Sequence, residues 1–147
     1  LIFGYLQKVA AKHGSRHPEL LKIFELFAAV KEEMDLHMMK EEKILFPRIS
    51  DIEKLFASQP ELPVSNSYIS GPVSVMEQEH DHAGWMLNEI RVLTNDYTPP
   101  ADACTTYRLA FTALRAFEED LHRHVHLENN VLFPKAMKLF SNSMQQN

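Results

Sequence analysis

The sequence predicts an all-α protein, an up-down antiparallel four-helix bundle, and three observations predict it. Apolar residues recur at steps of three and four along nearly the whole chain, and only 4 glycines interrupt them. The periodicity breaks at a few short stretches rich in glycine, proline or asparagine, which divide it into four long segments. At 147 residues, 45% of them hydrophobic and 24% charged, the chain is long enough for one domain with its own core, so a single domain over residues 1–147 is expected.

The first helix is expected from the start of the chain to about His13, closed by Gly14 and Ser15 ahead of Pro18, with the inward stripe Ile2, Leu6, Val9 and His13. Its first residues already read as the middle of a helix, so a helix truncated at its amino end is expected. The second begins near Pro18, a residue suited to a first turn, and its stripe runs Ile23, Phe27, Val30, Met34, His37, Glu41, Leu45. Pro47 is expected to bend or end it, with a further helical piece near Asp51 to Ala57 and a loop from Gln59 to Asn66. The third starts around Gly71 and Pro72 and turns Val73, Met76, His80, Ala83, Leu87 and Ile90 inward. Asn95 to Pro100 breaks the chain again. The fourth follows from about Ala101 with the stripe Ala110, Leu114, Phe117, Leu121, His124, Glu128, Val131 and Leu132. Short connections favour antiparallel neighbours.

Charge excludes several functions. The net charge of -5 comes from scattered acids with no long basic block, so neither nucleic acid nor an anionic membrane is expected as a partner. No stretch is apolar and long enough to span a bilayer, and the apolar opening lacks the basic region of a signal peptide. A single cysteine, Cys104, has no partner for an intramolecular disulfide, which suits a reducing compartment; the cytoplasm is expected. An incomplete first helix would leave an apolar groove, which favours a homodimer.

One internal repeat carries the chemistry. His37-x-x-x-Glu41-x-x-x-Leu45-Phe46-Pro47 recurs as His124-x-x-x-Glu128-x-x-x-Leu132-Phe133-Pro134. Residues four apart share a helix face, so each His/Glu couple projects together, and both couples continue an apolar stripe. Ionised carboxylates in a core are costly unless paired or coordinated, so two interior glutamates call for cations between them. Glu41 and Glu128 are placed to bridge two metals while imidazoles cap the outer positions, with His13 and His80 also on inward stripes. An imidazole and carboxylate shell without thiolate favours iron or manganese over structural zinc. For His13 or His80 alone a hydrogen-bonded core residue is the commoner outcome, and a single His-x-x-x-Glu is often a surface pair. The duplication is what favours ligation. His17 falls in the turn after Gly14 and His82, His122 and His126 fall off the stripes, so all four are expected at the surface or behind the ligands. Glu33 and Glu79 are solvated charges by default, or a polar route to the site. Cys104 is expected as buried filler.

The run His37-Met38-Met39-Lys40-Glu41-Glu42 to Pro47, the run Gly71 to Glu77 leading to Glu79-His80-Asp81, Pro99-Pro100 with Ala103-Cys104-Thr105-Thr106, and His126 to Pro134 together resemble the hemerythrin-like superfamily. Within it the match is to the repair-of-iron-centres proteins, over nearly the whole chain. The resemblance implies two non-haem irons, carboxylate-bridged and with an oxo or hydroxo bridge as a further candidate, in a protein of nitrosative or oxidative stress. Iron-sulfur proteins would be its clients, nitric oxide or dioxygen its small ligands, and redox activity such as nitric oxide reduction, or iron transfer, its mode of action. By the same resemblance His13, His37, His80 and His124 would be terminal ligands, Glu41 and Glu128 the bridges, and Glu33 and Glu79 would line access to the irons. The family usually carries paired cysteines in an amino-terminal segment and a ligand histidine further upstream in its first bundle helix; here no histidine precedes His13. A reversible dioxygen or nitric oxide carrier or sensor would use the same ligands, and a metal-free bundle would have to leave two interior carboxylates uncompensated.

Overall fold

The computed structural model describes residues 1–58 and 67–145. The loop expected from Gln59 to Asn66 lies outside the described residues. Those described are helical, joined by turns: α1 (Ile2–His13), α2 (Glu19–Lys40), α3 (Phe46–Ser58), α4 (Ser67–Leu93), α5 (Thr105–Leu127) and α6 (Phe133–Gln145), with π-helical turns at Glu41–Leu45 and Glu128–Leu132. Among the described residues no helix is long and apolar enough to cross a membrane.

The two π turns occupy corresponding places in the repeat. Each begins on a glutamate of the duplicated couple and closes one residue before a proline, with the Phe46 N–H donating to Glu41 O and the Phe133 N–H to Glu128 O. An α register there would need an N–H from Pro47 for Lys43 O, or from Pro134 for Asn130 O, and neither proline has one. Beyond each widened turn the α-helix resumes with the proline in its first turn, where a missing N–H is harmless. Pro47 was expected to bend or end the second helix; instead α3 continues directly from the widened turn.

The third helix starts earlier than expected, at Ser67, and holds Pro72 inside it. Proline 72 leaves the carbonyl of Tyr68, four residues back, without its helical donor. The Arg48 guanidinium takes that place, donating to Tyr68 O at 3.0 Å while lying 4.7 Å from the centre of the Tyr68 ring. The fourth long helix starts later than expected, at Thr105. After Pro99 and Pro100 the carbonyls of Ala101 and Ala103 accept from the Arg108 side chain at 3.4 and 3.3 Å, outside any helix.

The chain divides into two compact units. One comprises residues 1–34 and 82–123, and its core holds Leu6, Val9, Ile23, Phe27, Val30, Ala83, Leu87, Ile90, Ala110 and Leu114. All ten lie on the expected inward stripes. Its least anticipated element is the turn after α4, where Asn95, Asp96 and Tyr97 all have positive φ, at 51°, 56° and 60°. Left-handed backbone is uncommon for non-glycine residues, and three in a row must be held by their surroundings. Asp96 N–H reaches back to Arg91 O at 2.8 Å, the Thr94 hydroxyl accepts from Tyr97 N–H at 2.9 Å, and Arg115 donates to Asp96 O at 2.6 Å. The Tyr97 hydroxyl then donates to the buried carboxylate of Glu118, which also accepts from Arg91 at 2.6 Å. Glu118 is thus a structural anchor.

The other unit comprises residues 35–81 and 124–147. Here α3 and α6 pack together, and Leu45, Ile52, Ile69, Val73, Met76, Phe133, Ala136 and Phe140 form the core. Val131, expected inward, is exposed, while Phe133 is buried. The π turn explains the exchange, because an extra residue in the turn shifts the phase of everything beyond it.

Candidate metal centre

Five side chains of the second unit converge: His37, Glu41, His80, His124 and Glu128, each offering one ligand atom, all within 4.8 Å of one another. His37, Glu41, His80 and Glu128 are buried at 1–4% exposure, and His124 is half-buried. Their helices deliver them as the repeat requires. His37 and Glu41 stack one turn apart, as do His124 and Glu128, and His80 comes from the apolar stripe of α4.

The ring nitrogens that meet inside are all Nε2. His37 Nε2 lies 2.9 Å from Glu41 Oε1 and 3.1 Å from His80 Nε2. Glu128 Oε1 lies 2.8 Å from His80 Nε2, 3.1 Å from His124 Nε2 and 3.6 Å from His37 Nε2. Despite these distances, both oxygens of Glu128 and the Nε2 of His124 are buried without a hydrogen bond. Buried polar atoms in this state cost of order 1–3 kcal/mol each, more when charged. A cation relieves all of them together. Donor atoms that share one ion at about 2.1 Å and at right angles stand about 3 Å apart, which is the spacing of these nitrogens and oxygens. The residues present therefore fit a metal ion.

Proton affinities show the same crowding. Burial works against charge on His37, but the Glu128 and Glu41 carboxylates outweigh it and push its pKa up to about 10. Glu41 is raised above the usual carboxylate range, by burial first and then by Glu128. Burial opposes ionisation of Glu128 too, yet the imidazoles of His37 and His80 hold it below that range. The metal-free site thus keeps an imidazolium beside one firmly ionised carboxylate.

Outside the five, Glu79 joins the site from behind. Its Oε1 lies 3.2 Å from His37 Nδ1, and its Oε2 accepts from Lys40 Nζ at 2.8 Å. Asn129, which the sequence reading missed, places Oδ1 3.0 Å from His80 Nδ1. Its signal was a break in the repeat, since the position equivalent to Glu42 holds an amide. Two expected residues do not join. His13 belongs to the first unit, where its Nε2 lies 3.3 Å from Cys104 Sγ and its ring meets that of Tyr107 edge-on. It stays on the inward stripe as a hydrogen-bonded histidine, outside the five-residue cluster. Glu33, also in the first unit, pairs with the exposed His82 at 2.8 Å.

A helical chain that brings the two His/Glu couples of a duplicated motif and a third histidine, His80, onto one buried point is of the carboxylate-imidazole metal-binding class. The family model described as the hemerythrin HHE cation binding domain matches residues 1–136, and the chain belongs to that family. Among its curated relatives is the iron-sulfur cluster repair protein YtfE of Dickeya chrysanthemi, 40% identical over 90% of this chain and 54% of the relative. Proteins of the same name from Musicola paradisiaca and Yersinia pestis are 43% and 40% identical, over 74% and 90% of this chain and 44% and 54% of theirs. The chain thus spans about half the length of the curated relatives it matches.

Proposed function

We propose that this chain is the di-iron-binding part of a protein that restores damaged iron-sulfur clusters under nitrosative or oxidative stress, arranged as an up-down antiparallel four-helix bundle. One observation carries the reading: His37, Glu41, His80, His124 and Glu128 stand at coordination spacing, with the buried Nε2 of His124 and both oxygens of Glu128 lacking hydrogen-bond partners, in a chain of the hemerythrin family. The name shared by the relatives supports the cluster-repair part of it.

In this reading His37, His80 and His124 would hold the metal through Nε2, together with the carboxylates of Glu41 and Glu128. His13, whose Nε2 lies 3.3 Å from Cys104 Sγ, is a further ligand that the family resemblance alone adds. When bound, the irons would supply one-electron chemistry between Fe(II) and Fe(III) and an open position for a small ligand such as nitric oxide or dioxygen. The chain's own part is to bind and to insulate. Glu41 and Glu128 bring the negative charge that would compensate the cations, and the ring of Phe133, a member of the apolar core of this unit, stacks on that of His80. Clients would be iron-sulfur proteins, in the reducing compartment that the single cysteine suits.

Anaerobic loading with Fe(II) followed by metal analysis tests this. Bound iron is expected, up to about two per chain for a two-metal site; the iron-loaded wild type is expected to restore an iron-sulfur enzyme damaged by nitric oxide, and the Glu41→Gln/Glu128→Gln double variant to lose the iron. Stoichiometric zinc with no bound iron rejects the reading. Reversible binding of nitric oxide or dioxygen without any repair makes the chain a carrier or sensor instead.

A further inference from the structure

The geometry points to Asn129 and Glu79 as positioning residues that hold His80 and His37 with Nε2 inward, one through a neutral amide and the other through a charged carboxylate. This inference rests on the metal-centre reading and goes beyond it, because it concerns which nitrogen each ring presents and what stands behind it.

The two rings are used alike on the inside and differently on the outside. Both turn Nε2 into the cluster, 3.1 Å apart, and both turn Nδ1 away from it. Behind His80, Asn129 Oδ1 accepts from Nδ1–H at 3.0 Å. Behind His37, Glu79 Oε1 accepts from Nδ1–H at 3.2 Å. An imidazole whose Nδ1–H is engaged by an acceptor presents Nε2 as its lone-pair nitrogen once a metal replaces any proton there. Each acceptor thereby selects the ligating atom. A carboxylate behind a ring makes it a stronger donor than an amide does, so the two positions are electronically unequal.

The anchors themselves are held. Lys40, three residues after His37, donates to Glu79 Oε2 at 2.8 Å, and this fixes the carboxylate oxygen left over from His37. In the repeat the residue equivalent to Lys40 is Leu127, and the residue equivalent to Asn129 is Glu42. Each copy of the motif therefore carries one positioning element that the other lacks. Asn129 is also next to Glu128, so a single stretch of backbone places a bridging carboxylate on one side of His80 and its Nδ1 partner on the other. Glu79 acts here as an anchor for a ligand, a different role from lining access to the metal.

The test is Fe(II) affinity of the purified chain, measured anaerobically by competition with a chromophoric chelator, for wild type, Asn129→Leu, Asn129→Asp, Glu79→Leu and Glu79→Gln. Loss of a histidine's outer partner costs about 10- to 100-fold in affinity. That loss is expected for the two leucine variants, with recovery to near wild type in Asn129→Asp and a smaller loss in Glu79→Gln, which keeps an acceptor oxygen but on a neutral amide. The second readout is the tautomer of His80 in the metal-free protein, from 15N–1H correlation spectra at pH 8, where an ordinary imidazole is neutral. Wild type and Asn129→Asp are expected to show the Nδ1–H form, and Asn129→Leu a mixture. Equal Fe(II) affinity in all five proteins, or a His80 tautomer unchanged by Asn129→Leu, overturns the inference. If wild type takes up no Fe(II) yet His80 keeps its Asn129-dependent tautomer, the metal-centre reading has failed and the positioning role stands.

Discussion

Glu128 shows most directly what a single residue contributes. Its carboxylate is 4% exposed, three imidazole nitrogens lie within 3.6 Å of one oxygen, and neither oxygen has a hydrogen bond. Without a metal, the neighbouring His37 serves as the counter-charge, which is why its pKa rises from the ordinary 6.5 to about 10. A base raised in the folded state contributes stability that is complete below its unfolded pKa and is lost as pH climbs through the folded one. The metal-free protein is therefore expected to lose stability between pH 6.5 and about 10. Urea midpoints taken across that window should fall for wild type and flatten in His37→Gln. A wild-type midpoint that holds level or rises over the same range would show that His37 carries no proton there. At this scale the sequence was informative about the five converging residues, because burial and spacing are written into the stripes. It was silent on Asn129 and Glu118. Asn129 gains its role only because His80, forty-nine positions away, turns Nδ1 toward it, and Glu118, on the buried face of its helix, gains its role only from Tyr97 and Arg91 of an earlier segment.

Elements were legible wherever hydrogen bonding is local. The inward stripe of the second helix is buried at every position from Ile23 to Leu45. Helix ends were less legible where a side chain from elsewhere repairs a broken backbone bond. Pro72 is the clear case, since Arg48 donates at 3.0 Å to the carbonyl that this proline leaves free. That arrangement predicts coupling. Arg48→Met is expected to destabilise the chain by about 1.5–3 kcal/mol, the usual worth of a hydrogen bond from a charged group, at its lower end given partial exposure. In a Pro72→Ala background, where the amide of residue 72 can serve Tyr68 O, the same change should cost clearly less. A double-mutant cycle by chemical denaturation measures the difference, and additive effects would mean that Arg48 does not serve that carbonyl.

On the scale of the whole molecule, every member of the five-residue cluster belongs to one of the two compact units, the one formed by residues 35–81 and 124–147. A ligand that binds only the folded state stabilises what it touches. Hydrogen exchange should therefore slow on Fe(II) binding most strongly for amides of the π turns and of residues 76–81, and much less in α1 and the first half of α5. Equal slowing throughout would show that metal binding is linked to global unfolding alone.

Neighbouring positions alone carried the helical class, the inward face of each helix as far as the π turns and the identity of the His/Glu couples, because a period of 3.6 residues and a duplicated motif are local properties. Tertiary structure decided which histidines meet. His13 and His80 occupy equivalent places on apolar stripes, yet His80 reaches Glu128 at 2.8 Å while His13 pairs with Cys104. Periodicity says that a side chain turns inward; only the packing of separate helices says what it meets there.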